Sequence, residues 1–352
     1  MRSPFVFLPT VAACAAAVFV MACASGRAHP GADLIVTHAR VWTGDPSQPE
    51  ASAIAIVGDR IVAVGPWERI DVWRGDATRV IDAENRRVIP GFNDAHVHVV
   101  DAGITIDQID LRDAADAAEM TRRIGERARI NPGEWIAGGG WRAELDAASL
   151  PTRAAIDDVT NGTPVFVVDG DARRALVNSA AFGRAGITEQ TVDPPDGRIV
   201  RDARGQPTGL IEGSALALVD RIVPRLTPAD RARAVKRALE RAASLGVTSL
   251  QDIGASGDDV AAFADLANRG DLTARIYAAT GDAGWYDQAK LGIRRAFGSA
   301  WLRLGAVAGT TAAAHDDPRA TDLLRTRLMA ADHAGLQLCL NAADARGVSE
   351  AL

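Results

Sequence analysis

The sequence predicts an α/β fold built on a parallel sheet or barrel and preceded by a small all-β unit. Two patterns point to it. From Val247 onward apolar strand-like runs alternate with helical patterns: strands at 247–250, 274–279, 302–307 and 336–340, helices at 258–268, 285–296 and 321–334. Repeated strand–helix units imply parallel strands joined by crossover helices. Residues 33 to 88, by contrast, read as strands alone. A third observation marks where chemistry would sit. In Pro90-Gly91-Phe92-Asn93-Asp94-Ala95-His96-Val97-His98, a buried strand starting at Val88-Ile89 leads to histidines at i and i+2. Side chains alternate across a strand, so His96 and His98 face one side and can begin a divalent metal site.

The 352 residues, 47% hydrophobic and 24% charged, can bury one large core or two ordinary ones. A net charge of -6 argues against nucleic acid as a partner. Residues 1–22 read as a targeting segment, with Arg2 as a positive n-region and Phe5 to Val20 as the apolar stretch. Val20-Met21-Ala22-Cys23 resembles a bacterial lipoprotein cleavage site, with Cys23 as the residue acylated. The expectation is a lipid-anchored protein of the cell envelope facing the periplasm; plain secretion after cleavage near Ala22-Cys23-Ala24 is the alternative. The apolar run is too short for a membrane span. Cys14 leaves with the signal and Cys23 carries lipid, so Cys339 has no disulfide partner and reads as a buried core thiol.

Residues 23–32 form a polar tether. In 33–88 the strands are Leu34 to Val36, Ala39 to Trp42, Ala53 to Val57, Arg60 to Val64, Val80 to Ala83 and Arg87 to Ile89. Gly58-Asp59 has the composition of a two-residue hairpin turn. After His98 come a helix at 118–130 stopped by Asn131-Pro132-Gly133, strands at 135–137 and 164–168, and a helix at 175–185 stopped by Gly186. Residues 191–211 have the Gly, Pro and Asp content of a hairpin. Thr227-Pro228 supplies an N-cap and a first-turn proline for a long helix to Leu245-Gly246.

Several segments in order resemble the type-3 branch of the amidohydrolase superfamily, the group containing N-substituted formamide deformylase-like enzymes. Besides the His96/His98 strand they are Leu150-Pro151-Thr152-Arg153, Asn178-Ser179-Ala180-Ala181, Gly205 to Glu212, Gly246 to Asp252 and Ala334 to Leu338. The resemblance implies an incomplete (β/α)₈ TIM-type barrel over 89–352, with an insertion at about 104–226 and half of a small β-sandwich at 33–88. It implies a divalent metal, most naturally zinc, and hydrolysis of a non-peptide C–N bond in a small amide. The expected site has the two histidines of the first strand, a bridging lysine on the fourth, histidines on the fifth and sixth, and an aspartate on the eighth.

The sequence departs from that set. Ala308 stands at the lysine position and Asn341 at the fifth-strand histidine position, while Asp171 replaces a histidine in the insertion. No counterparts of the sixth to eighth strands follow. Two imidazoles are one ligand short of a catalytic zinc site. The alternative reading is therefore an inactive, lipid-anchored remnant or binding protein with no bound metal. A five-strand barrel segment also leaves an edge and a core face open, which favours aggregation or an oligomer that covers them.

Other candidates read as scaffold. His29, His38, His315 and His333 lack ligand spacing and are expected at the surface, as are the pairs Asp157-Asp158 and Asp316-Asp317. Gly138-Gly139-Gly140 is expected to be a turn, because no Gly-Lys-Ser/Thr follows to make a phosphate loop.

Overall fold

The computed structural model describes residues 31–310, 318–342 and 345–351. The targeting segment with Cys23, and His29, His315, Asp316 and Asp317, lie outside the described residues. The chain separates into two compact units, one ending at Gly91 and one starting at Phe92.

The first unit contains β1 (Leu34–Thr37), β2 (Arg40–Trp42), β3 (Glu50–Ala51), β4 (Ala53–Val57), β5 (Arg60–Gly65), β6 (Arg79–Asp82) and β7 (Arg87–Val88). A one-turn helix, α1 (Trp67–Ile70), precedes β6. One sheet has the order β5-β4-β1-β6 and the other β3-β2-β7. The β4–β5 hairpin turns at Gly58-Asp59, as its composition predicts, with the Gly58 N–H donating to the Asp33 carboxylate at 2.6 Å. Ile35, Ala53, Ala55 and Ile70 form the core beneath it.

In the second unit the chain enters β8 (Phe92–Val97), α2 (Val99–Asp107) and β9 (Ile109–Asp110). It continues through α3 (Ala117–Ile130), β10 (Ile136–Trp141), α4 (Arg153–Thr160), β11 (Val165–Asp169), β12 (Arg174–Val177) and α5 (Ser179–Ala185). Then come β13 (Gly197–Arg201), β14 (Pro207–Gly213) and α6 (Ala217–Asp220). The strands β9 to β14 make one sheet, order β13-β14-β12-β11-β10-β9, parallel over β9-β10-β11 and antiparallel beyond. Met120, Ile124, Ile136, Trp141, Ile156 and Val165 fill the core between this sheet and helices α3 and α4.

The rest of the unit is α7 (Pro228–Ser244), β15 (Val247–Ala255), α8 (Gly257–Asn268), β16 (Arg275–Gly281), α9 (Trp285–Lys290), β17 (Phe297–Gly298), β18 (Leu302–Thr310), α10 (Pro318–His333), β19 (Gln337–Asn341) and α11 (Ala345–Ala351). Here β8, β15, β16, β18 and β19 run parallel and side by side in that order. The parallel order is what the strand–helix rhythm predicts, and the arrangement is the partial TIM-type barrel that the resemblance implies. Among the described residues β8 and β19 each pair on one side only. Val99, Val235, Leu250, Phe263, Leu266 and Ile276 form the core between the strands and the outer helices. The long helix α7 starts as its sequence predicts: Thr227 and Asp230 form a reciprocal capping box, with Pro228 in the first turn.

Local expectations fail in four places. The strand leading to the histidines is not buried: Ile89 is 47% exposed and β8 has no buried residue, because β8 is an edge. The helix expected over 175–185 is a strand followed by a helix, broken at Asn178. Fully buried, Asn178 caps α5 by accepting from Ala181 N at 3.1 Å. It also accepts from Val165 N at 3.0 Å and donates to Thr163 O at 2.8 Å and Thr160 Oγ1 at 3.1 Å. Gly138-Gly139-Gly140 is no turn; it lies inside β10 with φ of 115°, 118° and 77°. A Cβ on Gly139 would stand 2.3 Å from the Val168 carbonyl oxygen, so close strand approach requires glycine there. Finally, α9 stops at Lys290 instead of running to 296.

Candidate metal centre

His96 lies in β8, and His98 is the residue that caps α2. Val97 packs outward against the core shared with Val99 and Val100. Alternation therefore turns the flanking histidines to the concave side of the sheet. Their rings meet edge to face, centroids 5.5 Å apart at 79°, and both are exposed. The His96 N–H donates to the Asp94 carboxylate at 3.1 Å, which bends the backbone at the strand end.

His98 supplies no side-chain cap to its helix. Asp252, from β15, does so in its place: its carboxylate accepts from Val99 N at 2.9 Å. Asp252 is only 4% exposed. Burial is the main reason its pKa rises from 3.8 to about 6, with the Val99 N–H pulling the other way. A carboxylate at a helix N-terminus meets the positive end of the helix dipole. Asp252 thereby fixes the start of α2, and with it the backbone at His98. Sequence reasoning assigned Asp252 no such role; the available signal was an acidic residue within a predicted barrel strand.

The remaining positions fall on the same sheet. Ala308 pairs with Gly281 of β16 and Cys339 of β19, and Asn341 pairs with Thr310. Tyr277 donates its hydroxyl to Gln337 Oε1 at 3.2 Å, so the concave face carries Gln337 and, by alternation, Cys339 and Asn341. Cys339 is half-buried, not the fully buried core thiol expected, because β19 is the other edge of the sheet. Burial still pushes its thiol pKa up, which disfavours the thiolate. Asp171 is exposed in the β11–β12 turn. Its neighbour Asp169 is buried, paired with Arg174 at 3.0 Å and accepting from Arg173 N at 2.8 Å.

The surface readings are partly revised. His38 is exposed and pairs with Asp82 at 3.0 Å, and exposed His333 contacts Met329 O at 2.7 Å. Asp157 is not simply solvated, since it accepts from both N and Oγ of Ser179 at 2.9 and 2.6 Å.

The structure thus brings His96 and His98 together on the concave face at the C-terminal strand ends, where barrel enzymes keep their chemistry. Two convergent imidazoles suit zinc as part of a donor set. Among the described residues no group of three or more His, Cys, Asp and Glu side chains could hold a metal ion. Among the described residues the metal-binding candidates are thus the pair His96 and His98.

A family model for the amidohydrolases matches residues 79–352. The chain belongs to the amidohydrolase family. Over 188 residues this amidohydrolase is 34% identical to the N-substituted formamide deformylase of Arthrobacter pascens, covering 52% of this chain and 35% of that one. It is 35% identical over 224 residues to Protein LONG AFTER FAR-RED 3 of Arabidopsis thaliana, covering 63% and 38%. With the putative amidohydrolase YtcJ of Bacillus subtilis (strain 168) the identity is 28% over 217 residues, covering 61% and 40%. The chain therefore spans 35–40% of the lengths of these three relatives. Its fold matches a metal-dependent hydrolase from Pyrococcus horikoshii OT3 with a TM-score of 0.69 at 21% identity, covering 90% of this chain and 66% of that one. The counterpart from Pyrococcus furiosus gives 0.69 at 22%, covering 90% and 69%.

Proposed function

We propose that this amidohydrolase acts, with a divalent metal, on a non-peptide C–N bond of a small amide, and that His96 and His98 are its metal-binding pair. The observation that carries this is the placement of both imidazoles on the concave face at the end of the first barrel strand. Zinc is the metal the imidazole pair favours. Once bound, such an ion lowers the pKa of water and polarises a carbonyl. In this chain the two histidines hold, and Asp252 fixes the helix start beneath them. No described residue is assigned a proton-transfer step, since among the described residues the donor set stops at two imidazoles. The similarity to a formamide deformylase supports N-substituted formamides as the first substrates to assay.

The test is zinc content by elemental analysis, with hydrolysis of an N-substituted formamide followed in parallel. Dialysed protein should retain well under one equivalent, because structural and catalytic zinc sites normally use at least three protein ligands. Added zinc should bind, and any hydrolysis should vanish in a His96→Ala/His98→Ala variant. Hydrolysis that survives in that variant would refute the assignment.

A second reading rests on Ala308 and Asn341, which stand where the resemblance expects lysine and histidine. On that reading the protein is a non-catalytic, lipid-anchored relative, and no formamide turns over even with zinc supplied. Both readings keep the envelope location. Cys23→Ala is expected to release the protein from membranes, and fractionation in which wild type is already soluble would overturn the lipid anchor. We also propose that the edges at β8 and β19, each paired on one side only among the described residues, are covered in a homo-oligomer. A monodisperse monomer with one sharp thermal transition would remove that idea.

A further inference from the structure

At the far end of α2 from His98 lies a cleft of about 540 Å³, between α2, the start of α7 and the inserted sheet. At about 1.5 Å per helical residue, Ile104 and Asp107 are roughly 9–14 Å along the axis from His98. Two of the three carboxylates around this cleft are paired with arginines, and the third, Glu134, is held by a side-chain amide. Asp230 binds Thr227 N at 2.9 Å and pairs with Arg233. Asp107 pairs with Arg237 at 3.5 Å, and Glu134 accepts from Asn131 Nδ2 at 2.6 Å.

The guanidinium groups of Arg127 and Arg184 are not matched in this way. Among the described residues neither has an ion pair or a side-chain hydrogen bond, although Arg127 is half-buried. Arg184 lies over the indole of Trp135, 5.6 Å from the ring centroid. A half-buried cation without an anionic partner is unfavourable, so the position invites an anion. Gln108 and the paired Arg233 also line the cleft, and an apolar stretch is formed by Ile104, Val223 and Leu226, the last 37% exposed. Two guanidinium groups without an ion pair, beside an indole and an aliphatic wall, select one ligand chemistry. It is a small molecule with a carboxylate at one end and a flat apolar body at the other.

We infer that this cleft is a second ligand site, separate from the histidine pair, that binds an apolar carboxylate through Arg127, Arg184 and the Trp135 face. The probe is 2-naphthoate, titrated calorimetrically into the full chain, with neutral 2-naphthamide and inorganic phosphate as comparison ligands. Naphthoate should bind once per chain and at least about tenfold more tightly than either. An Arg127→Gln/Arg184→Gln variant should reduce naphthoate to the level of the amide. Neither arginine has an ion pair or side-chain hydrogen bond to lose, and the contact removed is that of Arg184 over Trp135, so the far-UV spectrum should match wild type and the melting temperature should change little. A His96→Ala/His98→Ala variant should bind naphthoate unchanged, which separates this site from the metal pair. Equal binding of amide and acid, equal binding of phosphate, or undiminished binding in the folded double-arginine variant would each overturn the inference.

Discussion

Three helical glycines test whether the packing described above governs stability. Intrinsic helix propensity treats them alike: Gly→Ala inside a helix is worth about 1 kcal/mol in favour of alanine. The structure separates them. In α2, a Cβ on Gly103 would lie 1.8 Å from the carbonyl oxygen of Ala234 and 2.8 Å from its Cα, so α2 and α7 touch backbone to backbone. An ordinary carbon contact is 3.4–4 Å, so the helices must part by roughly 1.6 Å. That separation disturbs the core at Val99, Val100, Val235 and Leu239. Overpacking costs about 1–3 kcal/mol, and a backbone obstacle belongs at the upper end. Gly103→Ala should therefore be destabilising by about 2 kcal/mol net. In α3, a Cβ on Gly125 would stand 3.0 Å from Val159 Cβ, so Val159 must give by a few tenths of an ångström. Gain and cost nearly cancel there. In α5, Gly183 has nothing within 4 Å, so Gly183→Ala should stabilise by about 0.5–1 kcal/mol. Urea unfolding followed by circular dichroism gives all three as midpoint shifts at constant slope. If Gly103→Ala proves as stable as Gly183→Ala, the close helix contact is wrong and so is the placement of His98 at the head of α2.

Asn178→Ala removes partners from Val165 N, Ala181 N and Thr163 O inside the insertion core, so a loss of about 3 kcal/mol or more is expected in the same assay; under 1 kcal/mol would contradict its burial. For Asp252 the sign follows from a native pKa of about 6 against 3.8 when unfolded. The native state holds the proton more tightly, so stability is lost as pH rises from about 4 through 6. In chelator-treated protein, Asp252→Asn should be neutral at pH 4 and stabilising by up to about 3 kcal/mol at pH 7, with Asn Oδ1 still accepting from Val99 N–H; an equal effect at both pH values would show that Asp252 is not held protonated by burial.

Much of the scaffold was legible because its signals are local. The Gly58-Asp59 hairpin needs only a turn dipeptide between β-branched runs, and α7 needs only Thr227, Pro228 and Asp230 at fixed offsets. Features set by distant contacts were not. Ala175 to Ala185 fits one helical pattern, and the break at Asn178 is held by bonds to Thr160, Thr163 and Val165, which no spacing within the segment reveals. Gly138 to Gly140 look like a turn by composition, but they are glycine because Ile109 and Val168 of neighbouring strands press on them. The histidine pair was readable from alternation alone. The contribution of Asp252 was not, since its hydrogen bond to Val99 spans 153 residues.

The same distinction separates what the fold requires from what a metal site would require. Asp252 has structural work independent of any ion, because α2 would otherwise begin with an uncapped N–H at Val99. Ala308 has none: it sits in the β18 ladder between Gly281 and Cys339, and its backbone pairing is indifferent to the side chain it carries. A lysine at that position would project into the concave space and bond to nothing the ladder requires. Residues that hold strands and helices together are therefore constrained by the fold, and residues that serve only the ion are not. For this amidohydrolase, the strength of the family match measures the first set and leaves the second to be decided at His96 and His98 by zinc itself.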